Sequence, residues 1–231
     1  MFFRSNCYGT AVVVPLFVMR YHIFKESPNR SLLIADSQAK SLEFSNINIL
    51  SLPGAKIEDI YRFVPHRGQY HKIVLFAGGN DLYNGYLPSS NSVDEVANRI
   101  INLANHLLTV CERVFVLGVP ARYPPAPKRE LIEDHELIRH LAVNRRIEKH
   151  AIKVGRQNYW VFRGLSDQIY CESHVTEDHV HLSGPALSGL RTILKNRVLY
   201  EDYSERISWL TVKQYECSRA TGCICGSFTG Y

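Results

Sequence analysis

The feature that most constrains this chain is an alternation: a short apolar run closed by Gly or Pro, then a longer stretch with helical spacing. The apolar runs fall at 31–35, 47–52, 72–77, 113–117 and 159–162. Pro53-Gly54, Gly78-Gly79, Gly118 with Pro120, and Gly164 punctuate them. Short runs bounded in this way fit strands buried in a parallel sheet. Between them the spacing predicts helices over 56–64, 93–111, 133–156 and 186–199. In the second, Val93, Val96, Ala97, Ile100, Ala104, Leu107 and Leu108 recur on one face. The third shows an apolar stripe at Ile138, Leu141 and Ile147. Ser183 is placed to cap the last. Strands alternating with helices predict an α/β chain, with one three-layer α/β/α domain over residues 30–200. Right-handed crossovers reduce the topologies to a few. A flavodoxin-like, five-stranded parallel sheet of order 2-1-3-4-5 is the expectation.

The ends are less regular. Residues 1–29 read as an N-terminal extension whose apolar segment, 11–19, is interrupted by Pro15. That segment is expected to be an extra strand rather than a leader, because Tyr21, His22 and Lys25 follow it instead of a small-residue cleavage site. It is too short to span a membrane. Residues 201–231 form a tail carrying Cys217, Cys223 and Cys225, whose spacing lacks the paired Cys-x-x-Cys of common zinc sites. Cys111 closes the second helical pattern and reads as a buried free thiol. A net charge of +5 favours anionic partners slightly and falls short of a dedicated nucleic-acid binder. Six scattered cysteines and one Asn-Arg-Ser sequon at Asn29 leave the compartment open, with the cytoplasm favoured.

In open parallel sheets, ligands sit beyond the carboxyl ends of the strands, where the strand order reverses. Ser37 lies just past the first strand, Gly54 past the second and Asn80 past the third. In the order 2-1-3-4-5 the reversal falls between strands one and three, so Ser37 and Asn80 should flank one crevice. Far downstream stands Asp178-His179-Val180-His181. On a helical turn, the three-residue offset puts Asp178 and His181 on one face. A serine hydroxyl is a poor nucleophile until a base takes its proton. An imidazole titrating near neutrality can be that base, and a carboxylate can orient it. The anion formed on attack needs donors: the backbone N–H groups of Ser37 and Gly54, and the Asn80 amide. Glycine at position 54 lets backbone approach without a Cβ. His179 competes as base, but the Asp spacing favours His181. Asp36 and Asp81 read as turn stabilisers. Taken singly, each island reads as a turn, a helix cap or a solvated loop. Their force lies in co-occurring in order.

In that order the islands resemble the four blocks of the SGNH hydrolases, the GDSL esterase/lipase superfamily. Leu33-Ile34-Ala35-Asp36-Ser37 resembles the nucleophile block, and Leu52-Pro53-Gly54 the glycine block. Gly78-Gly79-Asn80-Asp81 matches Gly-x-Asn-Asp, and Asp178 to His181 matches Asp-x-x-His. Ala35 departs from the usual Gly, which tightens the elbow if that backbone needs positive φ. The resemblance implies a serine ester hydrolase working through an acyl-enzyme, without cofactor or metal. Ser37 would be the nucleophile, His181 the base and Asp178 its orienter, with Ser37, Gly54 and Asn80 as the oxyanion hole. Activity should rise with pH as His181 loses its proton. The partner implied is a small-molecule or acylated ester. The segment from Val119 to Pro125 is a candidate substrate-facing loop. A second expectation belongs to another class: a catalytically inactive SGNH-like binding module in a nucleic-acid-associated or retroelement-derived protein. Its basic helix would carry Arg139, Arg145, Arg146, Lys149, His150, Lys153 and Arg156, although interleaved acids also fit a solvated face.

Overall fold

A computed structural model describes residues 23–25, 30–44, 46–154, 159–162 and 175–195, with only the backbone for 23–25, 126, 159–162 and 193. The apolar segment 11–19, Asn29, Arg156, the tail with its three cysteines, and the last helix beyond residue 195 lie outside the described residues. The strands are β1 (Ile23–Lys25), β2 (Ser31–Ala35), β3 (Asn48–Ser51), β4 (Lys72–Phe76), β5 (Tyr83–Asn84), β6 (Leu87–Pro88), β7 (Arg113–Leu117) and β8 (Tyr159–Phe162). The main sheet runs β1-β3-β2-β4-β7-β8. From β3 to β8 every pairing is parallel, so the expected order 2-1-3-4-5 is present. β1 adds an antiparallel edge to β3, pairing Ile23 with Ser51. β5 and β6 form a separate small hairpin.

The buried strands show why the apolar runs are nearly continuous. Every residue of β2 is buried. Leu32 and Ile34 face one layer with α1 (Ile57–Ile60), α3 (Val93–Leu108) and α6 (Arg139–Val154). Leu33 and Ala35 face the other, with Leu42, Ile47, Leu182, Leu190 and Leu194. The latter layer includes the final helix, α7 (Gly184–Ile193). This is the three-layer α/β/α arrangement, and both sheet faces are dry because helices cover them. Helix α3 starts on a capping box: Ser92 accepts from the Glu95 N–H while Glu95 accepts from the Ser92 N–H. Ser183 is the N-cap residue of α7, as expected, though its side chain makes no cap bond. Among the described residues no helix is long and apolar enough to cross a membrane.

Two local expectations are corrected. The helix expected over 133–156 is two helices, α5 (Asp134–Leu137) and α6, broken at Ile138, where φ is −103° and ψ is 10°. Its buried stripe is His140, Val143, Asn144, Ile147 and Ala151, while Ile138 is exposed. Of the expected stripe Ile147 is buried and Leu141 partly so; the rest of the buried face escapes the apolar pattern because part of it is polar. Asn144 enters the core by exchanging two hydrogen bonds with the Val119 backbone, at 2.8 and 3.0 Å. His140 meets the Tyr83 hydroxyl at 3.3 Å, and burial pushes its pKa down to about 4, so it stays neutral. Hydrophobic periodicity does not see such positions. The basic face is also thinner than the sequence suggests. Arg139 is buried and donates to the carbonyls of Ser89 and Asn91, and Arg146 pairs with Asp94. Cys111 is a free thiol, as read, but only half-buried; burial pushes its pKa up to about 11.

Candidate active site

The nucleophile candidate sits where β2 ends. The ladder carries on one step past the strand, with the Asp36 N–H donating to the Phe76 carbonyl (3.2 Å) and the Leu52 N–H to the Ala35 carbonyl (2.8 Å). Ser37 then opens a one-turn 3-10 helix, Ser37–Ala39, capped by Asp36 through the Gln38 N–H at 3.0 Å. Ala35 has negative φ; the only described non-glycine residue at positive φ is His179. The elbow therefore does not require the glycine that Ala35 replaces. Among the described residues the Ser37 hydroxyl makes no hydrogen bond, and the N–H groups of Ser37 and Gly54 donate to no protein acceptor.

Gly54 stands in a Pro-Gly turn closed by the Ala55 N–H on the Leu52 carbonyl (3.0 Å). Its φ of 71° is what the third position of a type II turn demands. Nothing lies within 4 Å of a Cβ placed there, so backbone conformation rather than crowding selects glycine. Gly78 is the stronger case: φ is 108° and a Cβ would come within 2.8 Å of Ile100 Cδ1. That turn starts α2 (Gly79–Leu82), which carries Asn80.

The Asn80 amide donates to the Ala55 carbonyl at 3.0 Å and accepts from Arg122 at 2.7 Å. Because a guanidinium can only donate, Arg122 assigns the amide orientation: the oxygen faces Arg122 and the NH2 faces the Gly54 turn. Arg122 is 4% exposed, donates to the Gly85 carbonyl, and lies 5.6 Å from the Tyr83 ring centroid. Burial lowers its pKa, opposed by the charge of Asp36. Sequence reasoning noted the loop containing Arg122 but not this role; a lone Arg after a strand carries no signal of it. Asp36 is buried and its carboxyl is raised to about 6 by burial, against the Gln38 N–H, Arg122 and His181. Asp81 is buried, and its carboxylate ties its own turn to two helices, accepting from the Ile57 N–H (2.9 Å) and from Arg99 (3.3 Å).

Asp178 and His181 pair through Oδ2 and Nδ1. They do so in a turn closed by the Val175–Leu182 bridge, not on the helical turn expected from their spacing. The other carboxylate oxygen accepts from Thr176 Oγ1 (2.7 Å) and the N–H groups of Val180 (2.9 Å) and His181 (3.0 Å). Burial pushes the Asp178 carboxyl up, but these hydrogen bonds outweigh it and hold it well below the usual carboxylate range. His179 adopts φ 59°, and its ring packs edge-on to Tyr86 at 6.3 Å between centroids. The aspartate therefore pairs with His181 and not with its neighbour. The turn reaches Ser37 through Gln38, whose amide bonds both sides of His181: the Val180 carbonyl at 2.8 Å and the Leu182 N–H at 3.0 Å.

No family model matches this chain. A curated relative, one of the subunits of the NADH-quinone oxidoreductase of Wolinella succinogenes, is 26% identical over 206 residues. That match covers 81% of this chain, which spans about half (48%) of the relative's length. Solved structures resemble the fold over most of their length. A GDSL-like lipase from Bacteroides thetaiotaomicron matches with TM-score 0.55 and 17% identity, over 74% of this chain and 88% of its own. A carbohydrate acetylesterase from Sinorhizobium meliloti matches with TM-score 0.53 and 15% identity, over 77% and 100%. An acetylxylan esterase from Geobacillus stearothermophilus matches with TM-score 0.54 and 11% identity, over 74% and 94%. The fold is that of the SGNH hydrolases.

Proposed function

We propose that this chain, which has the SGNH hydrolase fold, is a serine ester hydrolase with Ser37 as nucleophile, His181 as base and Asp178 as orienter. The observation that carries the reading is the Asp178–His181 pair on a turn bonded to the turn of Ser37, with Gly54 and Asn80 across the end of the sheet. Asp178 on Nδ1 selects the tautomer whose Nε2 is free to accept a proton. Ser37 Oγ attacks the ester carbonyl carbon as Nε2 takes its proton, and the carbonyl oxygen becomes an oxyanion. The N–H groups of Ser37 and Gly54 and the Asn80 amide receive that charge. Arg122 keeps the Asn80 NH2 turned away from itself and so available on that side. The tetrahedral species collapses, the alcohol leaves with the proton from His181, and water repeats the sequence on the acyl-enzyme.

The solved esterases of this fold act on acetylated carbohydrates or are described as lipases, so the acyl group is read by experiment. Hydrolysis of p-nitrophenyl esters from acetyl to octanoyl is measured for the parent and Ser37→Ala. The expected result is turnover in the parent and background rates in the variant, with chain length defining the pocket. Equal rates in the two folded proteins would sink the reading and favour a binding module.

A further inference from the structure

Gln38 follows Ser37 in the chain and is 4% exposed. Its backbone N–H is committed to Asp36, so its main chain is part of the nucleophile's turn. Its side chain spans to the opposite island. Leu182 N–H donates to its Oε1 (3.0 Å) and its Nε2 donates to the Val180 carbonyl (2.8 Å). A backbone N–H can only donate and a carbonyl can only accept, so these partners define which way the amide points. The two contacted peptides lie immediately before and after His181. The His181 backbone itself is already spent: its N–H goes to Asp178 and its carbonyl accepts from the Thr176 N–H at 2.9 Å. The turn has other anchors, the Tyr123 N–H on the His179 carbonyl (3.2 Å) and the buried Leu182 side chain. Gln38 is the described hydrogen-bonded link from this turn to the turn of Ser37 itself.

We propose that Gln38 is a positioning residue that sets the placement of the His181 imidazole against the Ser37 hydroxyl. The proposal rests on the ester-hydrolase reading. Proton transfer needs heavy atoms within hydrogen-bond reach, and misplacement by about 1 Å costs on the order of 10²-fold in rate. No other neutral side chain of this length both donates and accepts at its end, so an apolar substitute breaks both links at once. Glutamate keeps the oxygen that Leu182 N–H needs and, when ionised, loses the donor to Val180.

The test uses the full chain with Gln38→Met and Gln38→Glu, p-nitrophenyl acetate as substrate, and separate kcat and KM, with thermal unfolding as the fold control. The expected result is a folded Gln38→Met with kcat lowered about 10- to 100-fold and KM within about twofold, since the loss falls on chemistry and not on uniform binding. Gln38→Glu should fall between it and the parent. Amide exchange gives a reading without turnover: Leu182 N–H should be protected in the parent and exchange faster in Gln38→Met. A folded Gln38→Met with parental kcat, or a loss confined to KM, overturns the proposal. Should Gln38→Met not fold, parental kcat in Gln38→Glu overturns it, as does an unprotected Leu182 amide in the parent. A parent no faster than Ser37→Ala fails the hydrolase reading itself, and the proposal with it. An active parent with unaltered Gln38 variants fails this proposal alone.

Discussion

The two halves of the candidate site are held by different means. The Ser37, Gly54 and Asn80 half grows from the ends of three adjacent strands whose side chains are buried on both faces. The Asp178 and His181 half is a turn with partly exposed side chains, held by bonds within itself and a few ties to the body. The first half inherits its geometry from the packed sheet. The second must carry its own: Asp178 bonds its own turn through two backbone N–H groups and Thr176 before it bonds His181. A carboxylate in a dry cap and a carboxylate in a wet turn then respond oppositely. Burial raises Asp36, whereas hydrogen bonds lower Asp178.

The largest break in that comparison should come from Asp178→Asn. Asparagine still accepts from the Val180 and His181 N–H groups through its oxygen, so the turn should survive. Its amide face toward Nδ1 favours the wrong tautomer. We expect kcat to fall about 10³- to 10⁴-fold with near-parental unfolding temperature. A fall below about tenfold would mean the turn only places His181 and does not tune it.

On the sheet side, Asn80→Ala removes the side-chain donor proposed for the oxyanion and should lower kcat by about 10²–10³. Arg122→Met leaves that donor in place but frees the amide to rotate, so its cost in kcat should be smaller, about tenfold. Kinetics on both variants check the ranking; an Arg122→Met defect exceeding Asn80→Ala would give the buried cation a larger role than orienting Asn80.

The smallest effect sharpens the electrostatic contrast. Asp36 has a folded-state pKa raised to about 6, so its contribution to stability is fully present below about pH 4, where the unfolded carboxyl is also protonated. It is lost as pH rises through about 6, by on the order of 3 kcal/mol. Asp178 runs the other way: its depressed pKa adds stability above about pH 4 that is lost as pH falls further. Urea denaturation of the parent and Asp36→Asn between pH 4 and 7 measures the first term. The parent should lose stability relative to the variant over that interval, and parallel curves would place the Asp36 titration elsewhere.

Legibility in the sequence followed the same division. β2, β4 and β7 were readable because a strand dry on both faces leaves a continuous apolar run, closed by residues that turns require. The pairing of Asp178 with His181 was readable too, although its helical rationale was not, because His179 at positive φ makes a turn instead. The polar members of the α6 stripe were missed: His140 and Asn144 look solvent-facing until Tyr83 and the Val119 backbone are brought against them. Gln38 and Arg122 were missed for the same reason. Each is a common polar residue beside a recognised island, and the side-chain hydrogen-bond partners lie 37 or more positions away.

The sequence by itself determined the layered α/β architecture, the strand order and the islands around Ser37, Gly54, Asn80 and Asp178 to His181, because burial and turn chemistry are local and periodic. Tertiary structure alone decided what backbone holds Asp178 against His181, which way Asn80 points, and what spans from Ser37 to His181. Those depend on directional hydrogen bonds between distant segments, and a donor and its acceptor carry no mark of each other until packing brings them within about 3 Å.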